Sequence, residues 1–137
     1  MHLINSIVSF FRLIRTVNLL FILLTQLLFH FCIILPAYKQ LSNIAPRLNE
    51  TNFYLLVLAS ILIAAGGYII NDYFDINIDR VNKPTRMVVG KLISRRWAMF
   101  FHLLLSVLGL LLTAIVSRFL DNLLLLLLNI IALFANI

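Results

Sequence analysis

The stretch NFYLLVLASILIAAGGYIINDYFDINID, Asn52–Asp79, joins two unlike compositions end to end. Asn52–Ile70 carries no formal charge, and at ~1.5 Å of rise per residue its helix is about long enough to cross ~30 Å of hydrocarbon. The segment that follows, Asn71–Asp79, holds Asp72, Asp75 and Asp79. A membrane-spanning helix that ends in three carboxylates needs a physical reason for them.

Outward from this stretch the chain keeps the same character. Val17–Tyr38 and Trp97–Ser117 are apolar segments of similar length, and Leu123–Ile137 is apolar but short for a full crossing. Of 137 residues, 63% are hydrophobic and 12% charged, too little polar surface to cover a soluble core of this size. The expected fold is an all-α, polytopic transmembrane helical bundle of about four spans. It forms a single transmembrane domain over residues 1–137, with spans at 17–38, 52–70 (the motif helix running on to 79), 97–117 and 123–137. No small-x-small cleavage site follows the first apolar run, so a secretory signal peptide is not expected. The single cysteine, Cys32, lies inside the first span and reads as a small apolar residue. Residues 1–16 read as an amphipathic lead-in lying at the interface.

The net charge of +6 is unevenly placed. Arg12, Arg15, Arg80, Lys83, Arg86, Lys91, Arg95 and Arg96 fall on one side of the four-span arrangement, and Lys39, Arg47 and Arg118 on the other. That asymmetry puts the N-terminus and the Gly67–Arg96 region in the cytoplasm. In a bacterial cell the location would be the inner, cytoplasmic membrane. The charges flank spans and no groove-reading motif is present, so no nucleic-acid partner is expected.

On a helix, Asp72, Asp75 and Asp79 share one face within an arc of about 60°. Asn71 borders it, one turn before Asp75. At an effective dielectric near 20 and ~6 Å, each like-charge pair costs on the order of 2–3 kcal/mol. Something positive is expected there. Carboxylate and amide oxygens suit a hard divalent ion, and Mg²⁺ takes a few carboxylates together with phosphate oxygens. Arg80, Lys83 and Arg86 follow directly and are suited to the outer oxygens of the same phosphates. The bland alternative is a solvated cytoplasmic turn with local salt bridges. Pro84 places the end of the motif helix at or before Asn82.

The string as a whole decides between them. NDYFDINID fits the N-D-x-x-D-x-x-x-D signature of the UbiA-type intramembrane prenyltransferases. The following RVNKPTR, Arg80–Arg86, and the lead-in IRTVNLLF, Ile14–Phe21, also resemble that family. The geranylgeranylglycerol-phosphate geranylgeranyltransferase-like branch is the most similar in flavour. The resemblance implies a nine-helix bundle, in which two aspartate-rich motifs hold a prenyl diphosphate through Mg²⁺. Asp72, Asp75 and Asp79 would be catalytic and, with Asn71, would hold the metal. Asn71, Arg80, Lys83, Arg86 and Asn18 would meet the diphosphate. Arg15 would be either a substrate contact or a membrane anchor. The implied reaction is transfer of the prenyl group to a lipophilic or glycerol-phosphate acceptor within membrane lipid.

One departure matters. After Asp79 the remaining acid is Asp121, which the expected topology puts on the opposite side of the membrane. The second aspartate motif is therefore missing, and the chain resembles the N-terminal part of a nine-helix enzyme. It is expected to be inactive alone. The alternative is a non-catalytic membrane subunit that binds prenyl diphosphate, or one that assembles with a separate C-terminal half. A CDP-alcohol phosphotransferase is set aside, because its motif needs D-x-x-D-G-x-x-A-R, whereas Ile76 follows Asp75 here and no Ala-Arg follows at the required spacing. His30 and His102 read as packed histidines, and Gln26, Asn129 and Asn136 as interhelical hydrogen-bonding groups.

Overall fold

The computed structural model describes residues 9–40, 48–82 and 87–135. Within them lie five named helices: α1 (Thr16–Gln40), α2 (Glu50–Phe74), α3 (Ile76–Asn82), α4 (Arg95–Leu120) and α5 (Leu123–Ala135). A short helical turn at 9–13 precedes α1. No extended strand occurs among the described residues. α1, α2 and α4 are each long and apolar enough to cross a membrane, and α5 is a shorter apolar helix. The protein is an all-helical, multi-pass membrane protein, as the composition implies.

Local chemistry sets the helix ends. Asn49 caps α2 by accepting a 2.7 Å hydrogen bond from the Asn52 N–H, and Ser94 precedes α4 in an extended conformation. α4 ends at Asp121, whose left-handed backbone (φ 48°) lets its N–H return to the Arg118 and Ser117 carbonyls. α1 is not uniform: His30–Ile34 forms a π turn, which swings His30 inward. The Asn71–Asp79 segment is helical but not one helix. α2 stops at Phe74, Asp75 has ψ near 0°, and α3 resumes at Ile76. α3 is described as far as Asn82, and Pro84 lies outside the described residues.

α2 sits at the centre. Its main partner is α4, and it also touches α1, α5 and α3. The α2–α4 seam is built from small residues. A Cβ on Gly109 would stand 2.7 Å from Ile63 Cγ1 and 3.0 Å from the Ala59 carbonyl. A Cβ on Gly66 would stand 2.8 Å from Ser106 Oγ. The AAGG of Ala64–Gly67 therefore serves close helix approach, and α2 runs through it unbroken. Beside it His102 Nδ1 lies 3.0 Å from the Gly66 carbonyl, which gives this buried imidazole a polar partner. His30 stacks on Phe53 with ring centroids 3.8 Å apart. Both histidines are packing residues.

A compact apolar cluster closes the aspartate end of the bundle. Leu13, Ile69, Ile76, Val88, Val89 and Ala98 are all buried there. Leu13 is fully buried, so this part of the lead-in docks under the motif. An apolar side chain beside a ready-made cluster gains more by burial there than at a half-wet boundary.

Candidate functional site at the acidic end of the second span

Three segments build the site. α2 and α3 carry the aspartates, the turn at 14–15 brings in Arg15, and residues 87–89 return over the top. Asp72 and Asp79 line one small cleft, closed by Ile76, Met87, Val88 and Val89. Its volume of about 20 Å³ suits one water-sized group and not a diphosphate. Asp75 lies at the break between α2 and α3 and is exposed. Asp72 and Asp79 thus form a lined pair, with Asp75 exposed beside them. Asp72 still feels the repulsion of both Asp79 and Asp75.

The positive partner is one that spacing along the motif did not identify. Arg15 Nη2 donates to Asp72 Oδ1 at 2.7 Å, and its guanidinium lies 5.3 Å from the centroid of the Tyr68 ring. Arg15 has a left-handed backbone (φ 51°, ψ 58°) between the helical turn at 9–13 and α1. That conformation is unfavourable for a residue with a Cβ. It is held by Leu13 in the apolar cluster on one side and by the Asn18 N–H on the Arg15 carbonyl, at 2.8 Å, on the other. Arg15 thus meets the acidic site through Asp72.

The other expected residues are less gathered. Asn71 is half-buried one turn before Asp75. Arg80 is exposed on α3, and Asn18 is exposed on α1, with no side-chain hydrogen bond among the described residues. Lys83 and Arg86 lie outside the described residues, as does Asn136. Among the described residues no three carboxylate, histidine or cysteine groups converge to ligate one ion by themselves. The donor chemistry nevertheless fits Mg²⁺, which keeps several waters and binds through one or two carboxylates plus substrate phosphates. The Asp72–Asp79 pair supplies that number.

The chain matches the UbiA prenyltransferase family model over residues 28–137, which includes the whole acidic stretch. It belongs to the UbiA prenyltransferase family. Relatives named digeranylgeranylglyceryl phosphate synthase are similar over parts of the chain. That of Methanococcoides burtonii is 37% identical over 86 residues, covering 61% of this chain and 31% of the relative. That of Sulfolobus acidocaldarius is 43% identical over 61 residues, covering 44% of this chain and 22% of the relative. That of Pyrococcus abyssi is 45% identical over 56 residues, covering 41% and 20%. The chain thus spans less than a third of the length of these curated relatives in the matched part. No solved structure matches it. Family membership agrees with the motif reading, and the relatives' name agrees with the geranylgeranylglycerol-phosphate branch.

Proposed function

We propose that this UbiA-family chain supplies the first acidic half of a prenyl-diphosphate site. The proposed overall reaction is Mg²⁺-dependent transfer of a prenyl group to an acceptor. The relatives' name favours a glycerol-phosphate acceptor over an aromatic one. The observation that carries the reading is the pairing of Asp72 and Asp79 in one cleft at the polar end of a spanning helix, with Asp75 exposed beside them. Arg15 offsets part of the charge at Asp72, and the like-charge repulsion that remains between Asp72 and Asp79 favours a cation in the cleft over a solvated turn.

In this reading Asp72, Asp75 and Asp79, with the Asn71 amide, hold the metal. Bound there, Mg²⁺ supplies charge stabilisation for the departing diphosphate. Arg80, Lys83 and Arg86 meet the outer phosphate oxygens as cations. Arg15 holds the Asp72 carboxylate in place beside the cleft until ligand arrives. The apolar cluster around Ile76 and Val88 excludes water from the side where an allylic cation would form. The acidic end faces the cytoplasm, as the arginine and lysine asymmetry predicts. A second acidic set comes from outside residues 1–137, since the other acids of the chain are Glu50 and Asp121. Both lie at helix ends away from the motif.

The test uses the purified chain in lipid nanodiscs. Mn²⁺ binding is followed by electron paramagnetic resonance, with and without geranylgeranyl diphosphate. Diphosphate and metal should each tighten the other's binding, Asp75→Asn should weaken both, and no prenyl product should form. Turnover that Asp75→Asn abolishes would refute the claim of inactivity alone. Absence of any metal-dependent diphosphate binding would leave a non-catalytic membrane subunit as the better account.

A further inference from the structure

Below the aspartates, α2 turns a stripe of small and apolar residues towards α1 and α5. A cavity of about 300 Å³ lies there, with Ile22, Ser60, Ala64, Tyr68 and Asn129 in its walls. Its end nearest the motif is Tyr68, the residue whose ring carries Arg15, and Arg15 in turn holds Asp72. A second cavity, about 400 Å³, lies further from the aspartates, between Gln26, His30 and Tyr38 of α1 and Phe53 and Leu56 of α2. Both sizes are in the range of small-molecule sites, and both walls are mainly apolar.

One hydrogen bond stands between the two. Gln26 Nε2 donates to Ser60 Oγ at 2.7 Å. Ser60 borders the nearer cavity and Gln26 the farther one. The Ser60 hydroxyl donates its own proton to the Val57 carbonyl at 2.8 Å, so its lone pair is turned to receive the amide. Parting the two side chains would leave an amide unpaired in apolar surroundings. A hydrocarbon tail offers no replacement partner, so it meets this pair as a barrier.

The dimensions give the barrier a meaning. From Asp72 to Ser60 is about 18 Å along the helix at ~1.5 Å per residue. Carbon–carbon bonds of ~1.5 Å advance an extended chain about 1.2 Å each, so a four-bond isoprene unit spans about 5 Å. The helix length from Asp72 to the pair corresponds to about four units, and the stretch on to Phe53 adds about 10 Å, or about two more. We infer that the Gln26–Ser60 pair is the stop that sets the length of the isoprenoid tail lying along α2. This makes both residues specificity-determining. The inference rests on the prenyl-diphosphate reading for the position of the tail's charged head.

The experiment measures binding of two ligand series to the full chain in nanodiscs. One is prenyl diphosphates of two to seven isoprene units with Mg²⁺, and the other is the matching uncharged prenyl alcohols. Wild type should gain affinity with length up to about four units and level off beyond. Gln26→Ala should move the break to about six units, and Ser60→Ala should move it in the same direction. Helix content by circular dichroism checks that each variant is folded. A break that stays in place in both folded variants overturns the inference, as does a length dependence without a break in wild type. That second result is also the one expected if a helix of another chain fills the groove. A break seen with the alcohols but no binding of diphosphates supports the stop while overturning the acidic-site reading. Binding of neither series overturns both.

Discussion

The two faces of α2 obey different rules. Towards α4, backbones approach so closely that Gly66 and Gly109 have no room for a methyl group. Of the polar groups at that seam, His102 meets the Gly66 carbonyl and Thr113 donates to the Gly109 carbonyl. Towards α1 and α5, the same helix leaves cavities and, at its end, carboxylates of which Asp72 pairs with Arg15. Tight packing makes a rigid rail of one face. The other face borders the cavities. A site for a long, flexible substrate needs both, because a groove keeps its shape only if the helix forming its wall cannot shift.

The largest expected effect breaks the rail. Gly109→Ala forces a methyl group against the Ala59 carbonyl and Ile63, and backbone cannot move aside as a side-chain tip can. A loss of about 2 kcal/mol is expected from overpacking of this kind, read as a lower thermal midpoint in detergent. An unchanged midpoint would show that the seam is looser than drawn. Next in size, Asp79→Asn should weaken Mn²⁺ binding about tenfold, about 1.4 kcal/mol, while leaving the thermal midpoint in place. Equal loss of stability and binding would make Asp79 a structural residue.

Two smaller changes sharpen the contrast. Ser106 Oγ is buried at the seam with no hydrogen-bond partner among the described residues. Ser106→Ala removes an unsatisfied hydroxyl and should raise stability by up to about 1 kcal/mol, and it should make Gly66→Ala better tolerated. Destabilisation by Ser106→Ala would reveal a partner for that hydroxyl. Arg15→Gln should cost less than about 0.5 kcal/mol of stability, because the guanidinium is 45% exposed and the pair is solvent-screened. Its effect should instead appear in ligand binding, with Arg15→Lys restoring part of it. A stability loss several times larger would assign Arg15 to the fold and not to the site.

Much of this was legible without coordinates. Long uncharged runs can only be membrane helices, because unpaired backbone is too costly in hydrocarbon. The spans found differ from the expected ones by a few residues at their ends: Thr16–Gln40 against Val17–Tyr38, and Arg95–Leu120 against Trp97–Ser117. The acidic stretch was legible because three like charges at helical spacing demand compensation. Gln26 was expected to bond between helices and does, whereas Asn129 donates to Leu125 of its own helix at 3.0 Å. Periodicity alone does not distinguish those outcomes. It also missed the break at Asp75, since a single ψ near 0° leaves no mark in composition.

The sequence by itself determined the medium, the helices and the chemistry at the end of α2, because each depends on residues close together along the chain. Hydrophobic length is local, and so is the repulsion among Asp72, Asp75 and Asp79. Tertiary structure alone decided which partners those residues meet. Arg15 reaches Asp72 across 57 positions, and Gln26 reaches Ser60 across 34. Those pairings depend on which face of α2 is pressed against α4. That choice is made by the close fit of Gly66 and Gly109, since lipid tails are as apolar as the helices themselves and burial of apolar surface does not select a face.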